Sequence, residues 1–222
     1  MRWFKKMDYK HYALGWVAVL FSLAGAAFAD TDEGWQIRKD EQGITVYARE
    51  VADSPIDEIR ASASIQAPYP VVLALLLDHT ARPQWNALCQ EARVLQSGTP
   101  DEQRVYFYYK MPWPVTDRDL VMALSVNDAD GVAIMRGTAI ADDSAPAGSK
   151  AVRVLKAREE WRIERLDENS TRVTMTALMD PAGPIPAWLI NAMSVSQPYE
   201  AMEQLRLLAS QRAVAATAQI KK

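Results

Sequence analysis

The sequence predicts an α+β fold in which one antiparallel sheet wraps on one helix. Three observations carry this: a run of β-rich segments at short intervals, a clean polar and apolar alternation over residues 171–179, and a final segment whose apolar residues recur every three or four positions. Residues 43–51 and 58–65, joined across the turn sequence Asp53-Ser54-Pro55, read as an opening hairpin. Pro70 suits a first helical turn and residues 71–77 are apolar without a break, which predicts a short buried helix. A loop carrying His79, Arg82 and Trp85 follows. Strands are then predicted over 92–96, 104–111, 120–126, 132–140, 152–166 and 172–179, each bounded by Gly, Pro, Asn or Asp. In the last of these, Val173, Met175, Ala177 and Met179 share one face and Arg172, Thr174 and Thr176 the other. Leu189, Met193, Ser196, Tyr199, Met202, Leu205 and Leu208 then form a helical stripe, which Pro198 is expected to kink or divide. Residues 211–222 read as a frayed tail.

Composition narrows the function. The 222 residues are 49% apolar and 24% charged, as in an ordinary folded domain. Cys89 is the single cysteine, so an intramolecular disulfide and a cysteine-built zinc site are both excluded. With 25 basic and 28 acidic residues the net charge is −3, which gives a nucleic acid nothing to bind.

The N-terminus reads as an export signal. Arg2, Lys5, Lys6 and Lys10 precede an uncharged run over residues 13–29 that closes on Ala27-Phe28-Ala29. This predicts a signal peptide, residues 1–29, cleaved after Ala29, and a periplasmic product. An uncleaved inner-membrane anchor is the alternative, because that run sits at the lower limit for a hydrocarbon core of about 30 Å. Position 30 is Asp, which closes a lipoprotein route. Without the leader, 21 basic and 27 acidic residues remain, a net charge of −6, and His79 is the one histidine.

A search for chemistry finds no Gly-rich phosphate loop, HExxH, GxSxG, CxxC or EF-hand spacing. His79, alone beside Asp78, reads as structural, with a general base as the alternative. In the strand predicted over 152–166, one face runs Leu155, Ala157, Glu159, Trp161, Ile163, placing a carboxylate among apolar neighbours. Either Glu159 marks a ligand site, or a β-bulge shifts the phase and sends Glu159 and Glu160 to solvent. No catalytic residue, metal or cofactor is assigned.

Three separated motifs carry a family resemblance: Arg82-Pro-Gln-Trp-Asn86, the stretch from Arg104 to Leu120 that contains Met-Pro-Trp-Pro-Val-Thr-Asp-Arg-Asp, and Asp180-Pro-Ala-Gly-Pro-Ile-Pro-Ala-Trp-Leu-Ile-Asn191. Together they resemble the StAR-related lipid-transfer (START) domain over about residues 35–210, with 30–210 as the domain. The resemblance implies a helix-grip fold, a curved antiparallel sheet around a long C-terminal helix enclosing an apolar cavity. It also implies non-catalytic binding or transfer of one lipid or other hydrophobic molecule. Within it, Pro112 and Pro114 place Trp113, and Arg118 is expected to bond Asp117 and Asp119. Trp188, Leu189 and Met193 on the last helix belong to a gate that opens at a membrane.

In phosphatidylcholine-transferring members of that family the first motif ends in Asp, where this chain has Asn86. The positions of the family's choline cage fall on Phe107, Leu120 and Ala157, leaving one ring, so phosphatidylcholine is disfavoured. The resemblance gives a head-group or cavity set of Arg82, Trp85, Asn86, Phe107, Leu120, Ala157, Glu159 and Trp161. Arg82 is expected to meet a phosphate or carboxylate, and Glu159 a basic group or hydroxyl. A monomer making transient membrane contact is expected, since a net −6 does not hold to anionic surfaces. Two other classes stay open. One is a helix-grip enzyme, cyclase-like, using Tyr106, Tyr108, Tyr109, His79 or Glu159; the other is an envelope interaction module docking through Trp113 or Trp188.

Overall fold

The structure, a computed structural model, describes residues 34–97, 102–142, 150–185 and 187–220. The leader predicted over residues 1–29 lies outside them. Strands β1 (Gln36–Glu41), β2 (Ile44–Arg49) and β3 (Glu58–Ile65) form an antiparallel meander, of which β2 and β3 are the predicted hairpin. The sequence reading lacks β1. Its residues are almost all exposed at the sheet edge, so no buried face imposes an alternation. It turns into β2 through Gln42 and Gly43, at φ 51° and 72°, the mirror-image geometry that suits a two-residue hairpin.

Helix α1 (Tyr69–Leu77) forms where expected, with Pro70 in its first turn and Val72, Leu73, Leu75 and Leu76 buried. The loop expected after it is instead a 3-10 turn (His79–Ala81) that runs into the one-turn helix α2 (Arg82–Trp85). Pro83 is tolerated there because a first-turn N–H has no helical partner.

Strands β4 (Cys89–Ser97), β5 (Glu102–Tyr109), β6 (Arg118–Ala129) and β7 (Val132–Ile140) continue the meander. The single strand predicted over 152–166 is in fact two. β8 (Val152–Arg153) pairs in parallel with β6, and Arg153 pins it there through Asp119 at 2.7 and 3.0 Å. The chain then leaves β6 at Leu155 and becomes β9 (Lys156–Arg165), between β7 and β10 (Thr171–Asp180). The sheet is open and curved, in the order β1-β2-β3-β10-β9-β7-β6-β5-β4.

Helix α3 (Ala187–Ile220) packs on the inner face of β2 and β3 and against α1 and α2, burying Tyr199, Met202, Leu205 and Ala209. It runs through Pro198 without dividing, and it continues to Ile220 where a frayed tail was expected. Residues 211–220 are rich in Ala, the best helix former, and Ala213 packs against the core. Among the described residues no helix is long and apolar enough to cross a membrane.

The inner face holds two buried clusters. One joins β2, β3 and β10 to α1 and α3; the other lines β4, β5 and β6 around Phe107, Leu120 and Met122. Because α3 sits on the first, space is left over the second.

Candidate functional site

Between α3 and the β5, β6 and β9 part of the sheet lies a cavity of about 280 Å³, just below the range of about 300–1,000 Å³ that small-molecule sites occupy. Its walls are mostly apolar: Leu120, Met122, Ala157, Met175 and Ala177 from the sheet, Ile190, Met193 and Ala201 from α3, and Trp85 and Trp161 beside them. Arg82 and Glu159 also line it.

Glu159 faces inward. Pairing of β9 with β10 runs without a register break from Lys156 opposite Asp180 to Arg165 opposite Thr171, which overturns the bulge alternative. Ala157, Trp161 and Ile163 are buried on the same face, whereas Leu155 precedes the strand and is exposed. Glu160 turns outward to Arg136 at 2.8 Å. Opposite Glu159 stands Gly137, where a Cβ would lie 3.1 Å from the Glu159 Cγ and 2.7 Å from methyls of Leu124 and Met122. A glycine inside a strand is a signal of such close approach.

At the start of α2, Arg82 sends both terminal nitrogens to this carboxylate, Nη1 to Oε1 at 3.0 Å and Nη2 to Oε2 at 2.7 Å. The pair is about nine-tenths buried on both sides, 9% and 10% exposed. The guanidinium carbon lies 4.8, 5.4 and 5.9 Å from the ring centroids of Phe107, Trp85 and Trp161, so three rings surround a cation of the protein's own. Trp85 and Trp161 meet edge to face at 5.6 Å. Burial works against charge on Glu159, but the adjacent Arg82 outweighs it and holds the carboxyl below its ordinary range. Burial opposes charge on Arg82 too, and Glu159 more than offsets it, raising Arg82 above its ordinary value. Arg82 Nε, Trp85 Nε1 and Trp161 Nε1 are buried without a hydrogen-bond partner.

The remaining predicted residues divide. Leu120 and Ala157 line the cavity, whereas Phe107 packs against the guanidinium rather than toward a ligand. Asn86 borders the cavity, but its Oδ1 accepts from the Leu88 and Cys89 N–H groups at 3.2 and 3.3 Å, closing the turn after α2. Met193 lines the cavity and Leu189 is buried. Trp188 lies in α3, its side chain outside the described set. The expected Arg118 pairing with its neighbouring aspartates does not occur. Arg118 is buried and donates to the carbonyls of Thr116, Pro181 (2.9 Å) and Ala182 (2.6 Å), tying the start of β6 to the chain that enters α3. Asp119 bonds Arg153, and Asp117 accepts from Tyr108, Lys110 and the Met111 N–H.

The groups considered for catalysis divide: Tyr109 and Glu159 both line the cavity, whereas Tyr106, Tyr108 and His79 do not. Tyr106 bonds Asp119 and packs with Val121 in a small cluster apart from the cavity, and Tyr108 bonds Asp117. His79 is buried but is not among the residues lining the cavity. Burial, followed by the nearby Arg82 charge, pushes its imidazole down to about 4. The unfolded chain takes up this proton near pH 6.5 and the folded protein near pH 4, so acidification across that window favours unfolding. Stability should fall by about 3 kcal/mol from pH 7 to below 4 through this group, and His79→Gln should flatten that part of the curve in urea titrations at each pH.

The sequence profile of the START domain matches residues 26–212. This chain belongs to the START domain family. A START domain of known structure, the STAR-related lipid transfer protein fragment from Xanthomonas axonopodis, is 31% identical, covering 80% of this chain and 99% of that one with a TM-score of 0.72. An uncharacterized protein of Pseudomonas aeruginosa is 31% identical over 88% of this chain and 95% of its own. The phosphatidylcholine transfer protein of Mus musculus is 29% identical over 72% of this chain and 77% of its own. The helix-grip architecture, a curved antiparallel sheet with one long C-terminal helix, is therefore both the family's and the one seen here.

Proposed function

We propose that this START domain binds one hydrophobic molecule in the cavity between α3 and the sheet and carries it between membranes outside the cytoplasm, without altering it chemically. The cavity carries the reading: a mostly apolar space of about 280 Å³ between α3 and the sheet, with the buried Arg82 and Glu159 pair in its wall. Shielding each methylene there is worth about 0.8 kcal/mol. Of the residues that an enzyme would use, His79, Tyr106 and Tyr108 lie off the cavity; of the two that line it, Glu159 is held by Arg82 and burial pushes the Tyr109 hydroxyl well above its ordinary range, which favours a carrier. Export rests on the composition of residues 1–29 and predicts that the intact mass of protein from the envelope fraction begins at Asp30.

Native mass spectrometry of that protein, purified without detergent, tests the carrier reading. A one-to-one adduct that organic extraction releases as a lipid-like molecule is expected. Protein that is repeatedly empty and takes up nothing from vesicles would overturn it.

Membrane contact is assigned to the loop between β5 and β6. Trp113 stands there 91% exposed between two prolines, and Arg118 at the loop's end is tied to Pro181 and Ala182 beside the cavity. Tryptophan favours the membrane interface. Trp113→Ala should slow uptake from vesicles in a stopped-flow transfer assay while leaving equilibrium binding of a dispersed ligand unchanged.

A further inference from the structure

We propose that the end of the ligand seated against Arg82 and Glu159 carries no net charge, presenting an alcohol, ester or ketone oxygen rather than a phosphate, carboxylate or quaternary ammonium. This rests on the carrier reading above and adds the chemical class of the cargo.

Each charged alternative finds its partner already taken. An anion needs an uncompensated cation, yet the Arg82 charge is already neutralised by Glu159, whose oxygens sit 3.0 and 2.7 Å from its terminal nitrogens. A phosphate would have to turn out a buried carboxylate and leave it uncompensated, which is costly. The other two arginines on the cavity are engaged as well, Arg118 with backbone carbonyls and Arg158 with Glu58 at 3.0 Å. A quaternary ammonium needs open aromatic faces, but Phe107, Trp85 and Trp161 surround the Arg82 guanidinium. Glu159 thus stands where an anionic head would, and Arg82 where a cationic one would.

What remains unsatisfied is donor capacity. Arg82 Nε and Trp85 Nε1 are buried on cavity-lining side chains and have no acceptor. Buried donors of this kind are rare in native structures and call for a partner. A neutral oxygen accepts from them and leaves the ion pair intact. A volume of about 280 Å³ suits one chain or a small ring system better than two acyl chains.

The test compares three amphiphiles of equal chain length, monolauroylglycerol, laurate and lauryl phosphate, binding to the mature protein at neutral pH, read by titration calorimetry below their aggregation limits. Monolauroylglycerol should bind at least about tenfold more tightly than either anion. In Glu159→Gln, with its fold checked by circular dichroism, Arg82 is released and lauryl phosphate should gain at least about tenfold. If the wild-type protein takes either anion as tightly as the neutral lipid, the proposal is overturned. That comparison decides the matter even where the variant fails to fold. Uptake of none of the three overturns the carrier reading together with this proposal, whereas uptake of all three alike overturns this proposal alone.

Discussion

Glu159→Ala should destabilise this START domain by about 3–5 kcal/mol, the cost of leaving one partner of a buried ion pair uncompensated. Arg82 would keep its place among Phe107, Trp85 and Trp161, but ring faces replace a carboxylate poorly, and burial would work against its charge unopposed. For a domain of this size the loss corresponds to a fall in Tm of roughly 6–20 °C. Replacing the whole pair removes the problem rather than half of it, so the double variant Arg82→Met, Glu159→Leu should unfold close to the wild-type midpoint in urea. The two variants separate structure from specificity. If Glu159→Ala is as stable as wild type, Arg82 is not confined as its bonds of 3.0 and 2.7 Å imply, and water reaches the pair freely.

That ion pair shows what the sequence can and cannot reveal. Strand β7 and the β2 and β3 hairpin are legible because buried faces impose alternation, and β10 because Val173, Met175 and Ala177 must face the helix. Glu159 stood out because a carboxylate interrupted such a face. Its partner could not be found in the same way: Arg82 lies 77 residues away on a one-turn helix too short to carry a period. Arg118 misled for a related reason. Flanked by two aspartates, it invites a local pairing, yet neighbouring strand residues point to opposite faces, and two of its three bonds go to carbonyls more than sixty residues on. β1 was invisible because an exposed edge strand needs no apolar pattern, and β8 because two residues held in place by Arg153 and Asp119 leave no periodic trace. Gly137 alone carried an unread signal, a glycine amid a strand where Glu159, Met122 and Leu124 crowd in.

Ala177→Phe should weaken ligand binding by at least about tenfold, without loss of stability. Ala177 lies on the inner face of β10, opposite Ile59 and Glu159, with its methyl on the cavity wall between those of Met175 and Met179. A ring placed there extends into space that no side chain occupies, so the overpacking penalty of a filled core does not apply. Filling a cavity more often stabilises, by about 0.5–2 kcal/mol. The two effects should therefore part company: lipid uptake from vesicles falls while the urea midpoint holds or rises. Unfolding would instead mean that the space is smaller than about 280 Å³ and that the ring meets α3. Undiminished uptake by a folded variant would remove the cavity from consideration as the ligand site, and with it the physical basis for a carrier. Loss of uptake with full stability would place the cargo against β10, within reach of the buried donors of Arg82 and Trp85.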